Sequence, residues 1–122
     1  MDYTERVLEM GPWADELDGY DETNVYPNGS LVRVSIRRTE SDAYPSGWRY
    51  TLHYGRLTPD TETLDDGTIR RYDNAHENTK GHELHVAPNP EPKTVEFPGM
   101  ESLYERFWDE IPVARFGPPG GE

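Results

Sequence analysis

The chain has 122 residues, with 24 Asp plus Glu against 12 Lys plus Arg, a net charge of −12, and no cysteine. This length bounds one domain with a single modest core, and no apolar run approaches the ~18 residues of a membrane span. The lack of cysteine excludes disulfides, thiolate metal sites and a cysteine nucleophile.

Of the cations only Lys80 and Lys93 are lysines; the rest are arginines. Excess carboxylate with scarce lysine is the expected surface of a cytoplasmic protein from a high-salt organism, where charge is screened over about 3 Å. An acidic mesophilic protein or a nucleic-acid mimic would share this composition, so net charge does not exclude a nucleic-acid partner. The balance is uneven along the chain: −7 over residues 1–30, +3 over 31–57, −4 over 58–66, zero over 67–86 and −4 over 87–122. The one cationic block is therefore the centre.

In chain order, MDYTERVLEM carries no basic region followed by an apolar run, so no secretory signal is expected. Val7 and Leu8 suggest a weak helix that Gly11 and Pro12 interrupt. Residues 1–22 read as an acidic extension, 23–112 as one α+β domain and 113–122 as a flexible tail. YPNGS (26–30) is a turn. In SLVRVSIRR, Val32, Val34 and Ile36 alternate with Arg33, Ser35 and Arg37, the period-two signature of a half-buried strand. YPSG (44–47) is the next turn. WRYTLHYG repeats the alternation, with Trp48, Tyr50, Leu52 and Tyr54 against Arg49, Thr51 and His53. LTPDTETLDDG is an acidic loop whose Asp66-Gly67 pair favours a hairpin.

TIRRYDNA reads as a third strand of uncertain parity, since Ile69 and Tyr72 fall on opposite faces unless a bulge intervenes. HELHV is a short fourth strand, with His82, Leu84 and Val86 on one side and Glu83 and His85 on the other. APNPEP is irregular because its prolines remove alternate donors. Met100, Leu103, Tyr104, Phe107, Trp108 and Ile111 form a complete apolar stripe, predicting a helix over about 99–111 that Pro112 stops. The expected fold is a twisted antiparallel sheet of four to five strands with this helix on one face. Arg33, Arg37, Arg49, His53 and His85 are expected on the other.

The stretch RRYDNAHENTKGHELH (70–85) holds three of the four histidines. As a zinc set, H-x5-H-x2-H is weak, because His82 and His85 diverge on a strand; no HExxH is present. As an acid–base centre, histidines beside arginines supply what a metal-independent ribonuclease needs: proton transfer and a cation for the phosphate. The plain alternative is an Asx turn at Asp73-Asn74, with Arg71 paired to Asp73 or a loop carboxylate. Neither a metal nor another cofactor is required.

At IRRYDNAH (69–76), GHELHV (81–86) and ESLYERFWDEI (101–111) the chain resembles the TumE-like proteins, toxins of a prokaryotic type II toxin–antitoxin system. The resemblance runs from about Ser30 to Pro112 and includes the two upstream strands. Where the family has Pro-His-His and then Pro-His-His-x-His, this chain has Ala75-His76-Glu77 and Gly81-His82-Glu83-Leu84-His85, so two histidines are glutamates. The resemblance implies a small cytoplasmic toxin blocked by an antitoxin, typically a helix-turn-helix protein encoded beside it, and an action on RNA or translation. On that footing His82 or His85 is the expected general base, with His76 and Arg71 in the same catalytic group. Arg70, Tyr72, Arg49, His53 and Arg37 would hold substrate, Arg70 and Arg71 clamping phosphate and Tyr72 stacking on a base. Asp73 and Asn74 would hold the loop. The competing expectation is a non-enzymatic module whose arginine face docks an acidic partner. No membrane contact is expected, and an exposed sheet edge would permit a homodimer.

Overall fold

A computed structural model describes residues 16–112. The expected helix near the start and the flexible tail lie outside the described residues.

The chain folds as a meander. Six strands, β1 (Tyr20–Val25), β2 (Ser30–Arg38), β3 (Trp48–Arg56), β4 (Thr68–Asp73), β5 (His82–Val86) and β6 (Lys93–Val95), form one sheet in sequence order. Every neighbouring pair is antiparallel. A single turn of helix, α1 (Glu77–Lys80), joins β4 to β5, and α2 (Met100–Glu110) follows β6. The class agrees with the sequence reading, but six strands replace the expected four or five. The additional ones are the two edges. β1 begins within the stretch read as an acidic extension, and Leu17 joins the core at 4% exposure. Its alternation is hidden because Asp21, Glu22 and Thr23 are all exposed, as suits an edge strand that must resist pairing with other chains. β6 is three residues long, too short to announce itself after the prolines.

The core lies between the sheet and α2. Val32, Val34 and Ile36 of β2 and Trp48, Tyr50, Leu52 and Tyr54 of β3 are all buried, as their alternation predicts. Met100, Leu103, Phe107 and Ile111 cover them, with Tyr104 and Trp108 half-buried at the rim. Burying each of the larger side chains stabilises the fold by about 1.5–3 kcal/mol. 

The parity conflict in β4 resolves as a bulge. Tyr54 pairs with Arg70 but Gly55 with Thr68, so Ile69 is the residue left over. Tyr72 therefore faces the core, Ile69 packs against its margin, and Thr68 turns to the opposite face. Gly55 permits this close approach: a Cβ there would collide with the Gly67 carbonyl oxygen and stand 2.9 Å from His53 Nε2.

Candidate functional site

Away from α2, strand register builds a row of polar side chains across the sheet. Thr23, Arg33, His53, Arg71 and His85 are successive cross-strand partners in β1 to β5. Facing residues on adjacent strands have Cβ atoms about 4.5–5.5 Å apart, so His53 and His85 flank Arg71. One pleat further on, the next row on the same face is Asp21, Ser35, Thr51, Asp73 and Glu83, and the row beyond it pairs Arg37 with Arg49.

Arg71 is tightly held. Its Nε donates to Asp73 Oδ2 at 3.0 Å, and its Nη1 donates to Asp66 Oδ2 at 3.1 Å and to Thr68 Oγ1 at 3.3 Å. His85 Nε2 is buried, lies 3.2 Å from Asp73 Oδ2 and 3.7 Å from Glu83 Oε1, and forms a hydrogen bond with neither. Arg71 and His85 form part of the wall of a concavity of about 430 Å³, with Leu64, Asp66, Pro88 and Pro90 around them. Burial pushes the Asp66 carboxyl up, but hydrogen bonds from Thr68 and Arg71 outweigh that and bring it below its ordinary value. On the other side of Arg71, His53 Nε2 lies 3.2 Å from Thr68 Oγ1. Burial and then the Arg71 charge lower the His53 pKa, because both disfavour imidazolium.

The remaining sequence candidates lie elsewhere. His82 faces the core side of β5 and stacks on Phe97, with ring centroids 4.4 Å apart and an interplanar angle of 4°. Its Nδ1 lies 2.7 Å from the Tyr50 hydroxyl and its Nε2 3.6 Å from Glu77 Oε1. Burial lowers its pKa, against the charge of Glu77. Tyr72 is 2% exposed, and its hydroxyl donates to Glu110 Oε1 at 2.7 Å. Arg70 Nη1 reaches the same oxygen at 3.0 Å. Both are thus turned toward α2 and away from Arg71. His76 is exposed and takes a left-handed backbone, φ 65°, at the start of α1.

Asn74 is fully buried. It accepts from Tyr50 N at 3.0 Å and donates to Trp48 O at 2.6 Å and Glu77 Oε1 at 2.7 Å, tying the β4 exit to β3. Glu77 also accepts from Ser46 N and Oγ, at 2.6 and 2.8 Å. Sequence reasoning missed Asp66, Thr68 and Glu83 around Arg71 and His85. Glu83 was legible, since it alternates with His85 on one face of HELHV; Thr68 was not, because the bulge changes its side.

His82 and His85 face opposite ways, so the three clustered histidines do not converge as a metal set. A different trio, Asp73, Glu83 and His85, places one ligand atom each within 4.8 Å of the others. Arg71 already donates to Asp73 Oδ2 at that point, which sets a fixed positive charge beside any cation. The same trio sets the His85 imidazole beside two carboxylates.

A family model described as Toxin TumE matches residues 16–115. No curated protein and no solved structure matches the chain. Among the described residues, no helix is long and apolar enough to cross a membrane.

Proposed function

We propose that this chain, which belongs to the TumE toxin family, cleaves RNA on the open face of its sheet. The observation that supports this best is the Arg71–His85 pair at the concavity wall, with Asp73 touching both. Nε2 of His85 is buried, so Nδ1 is the nitrogen that would meet substrate. His85 then takes the proton of a ribose 2′-hydroxyl. The 2′-oxygen attacks the adjacent phosphorus, the bond to the 5′-oxygen breaks, and the leaving oxygen is protonated by solvent. Arg71, fixed by three acceptors, stabilises the charge that builds on the phosphorane oxygens. His53 stays neutral beside it and lends a hydrogen bond. His82, Tyr72 and Arg70 support the fold in this reading, and Asp73 positions Arg71.

Membership of the family implies an antitoxin in general. We take it to be a helix-turn-helix protein encoded nearby that covers the same face in the cytoplasm. The scarcity of lysine supports a high-salt host. The competing module reading draws support from Arg71, whose guanidinium is already bonded to Asp66, Asp73 and Thr68; there the face only docks its partner.

Expression in the host, with and without the neighbouring gene, tests the proposal. The unmodified chain alone should arrest growth, and the neighbour should relieve it. Arg71→Ala and His85→Ala should each abolish arrest while the purified variants keep the parent's circular dichroism. Normal growth with the unmodified chain refutes the toxin activity; arrest that survives His85→Ala refutes the chemistry.

A further inference from the structure

Arg37 and Arg49 stand directly opposite each other on β2 and β3, both exposed on the open face. Like charges facing each other across strands destabilise a sheet. Elsewhere the chain avoids this: among the described residues Arg33, Arg56, Arg70 and Arg71 each meet a carboxylate at 2.8–3.2 Å. Among the described residues Arg37 and Arg49 meet none, in a chain where acidic residues outnumber basic ones two to one, 24 against 12. The Arg49 guanidinium carbon lies over the Tyr44 ring, 5.7 Å from its centroid.

These two arginines border a shallow concavity of about 290 Å³. Ser35 and Thr51, partners in the next row, line it with hydroxyls. Asp21 also lies at the edge, but Arg33 engages it at 3.2 Å. Two unmatched guanidinium groups and two neutral donors form a cradle for one tetrahedral oxyanion. The cradle shares its face with His53 and stands four residues from it along β3, about 13 Å at the usual strand rise. A single strand of a few nucleotides spans that distance, and the Tyr44 ring beside Arg49 offers a stacking surface.

We infer that Arg37 and Arg49, with Ser35 and Thr51, form a phosphate-binding site that holds the backbone of single-stranded RNA away from the scissile bond. This rests on the reading of the open face as RNA-acting. It explains why the opposed pair goes unmatched: the ligand supplies the missing charge. Tyr44 and the row geometry favour RNA over an acidic protein segment.

The test uses the full chain and a short fluorescein-labelled single-stranded RNA, followed by anisotropy across a salt series. Arg37→Ala/Arg49→Ala should weaken binding about tenfold or more near 0.1 M salt, and lower the log Kd against log salt slope by about 0.7, the contribution of one phosphate on a single strand. Arg37→Lys/Arg49→Lys should keep the slope. Cleavage at subsaturating RNA should fall about as far as binding does. Thermal melting should show the alanine pair no less stable than the parent, because a repulsion has been removed. Unchanged affinity and slope in the alanine pair overturn this site and leave the Arg71–His85 chemistry standing. RNA binding that persists while neutralisation by the antitoxin is lost also overturns it, and assigns the arginines to the partner. Failure of the unmodified chain to bind RNA overturns both the site and the reading beneath it.

Discussion

Replacing Asn74 by alanine should unfold this protein far more readily than its position after the Arg71-Tyr72-Asp73 run suggests. The amide is fully buried and satisfies Tyr50 N, Trp48 O and Glu77 Oε1 at once. Each hydrogen bond contributes about 1 kcal/mol net, and a buried group stripped of its partner costs about 1–3 kcal/mol. Tyr50 N loses the partner that Asn74 supplied, while Trp48 O keeps Ser46 Oγ at 3.4 Å and Glu77 keeps Ser46. The loss should come to about 3 kcal/mol, or roughly 12–24 °C in Tm for a domain near 100 residues. Urea unfolding followed by tryptophan fluorescence measures it well, because Trp48 sits in the same network. The midpoint should fall with little change in slope. A loss below about 1 kcal/mol would mean that water or a backbone shift replaces the amide, and would refute its role as the tie between β3 and β4.

Tyr72→Phe should cost about 1 kcal/mol through the lost hydroxyl bond to Glu110 and leave growth arrest intact; loss of arrest with stability preserved would return Tyr72 to the working surface. Acidification should destabilise the fold partly through His82. Its folded pKa is lowered from the ordinary 6.5 by burial, so above 6.5 both states are neutral, and below it the unfolded chain takes the proton first. The parent should therefore lose more stability between pH 7.5 and 5.5 than His82→Gln does, as measured by urea midpoints at each pH. An equal or smaller loss in the parent would contradict the burial of that imidazole. His53, lowered by burial and Arg71, contributes the same sign, and His53→Gln should flatten the profile further.

Much of the fold was legible because β2, β3 and α2 carry clean periodicities, and burial obeys them residue by residue. The edges were not. β1 hides its pairing behind consecutive polar residues, and β6 is three residues long. Parity carried the site only partway. It put Arg33, His53 and His85 on one face correctly, and Glu83 with them. It could not decide β4, where one extra residue at Ile69 reverses Thr68, while plain strand alternation puts Arg70 and Arg71 on opposite sides. The adjacent arginines, read together as a phosphate clamp, consequently separate: Arg70 reaches α2, and Arg71 reaches His85's neighbourhood. His82 was equally opaque, since its partner Phe97 comes from beyond the proline-rich link. The Asp73-Asn74 pair divides the same way, with Asn74 buried as a structural tie and Asp73 set against His85.

The central claim, that an imidazole and a guanidinium on the open face carry out the chemistry unaided, meets its most direct test in purified protein. Labelled RNA is incubated with the parent and with His85→Ala, each in the presence of a chelator, and the ends of any fragments are determined. Cleavage by the parent that persists in chelator, leaves 2′,3′-cyclic phosphate ends and falls at least about 100-fold in His85→Ala is the predicted result. Cleavage that the chelator abolishes, or that proceeds equally in His85→Ala, would contradict it.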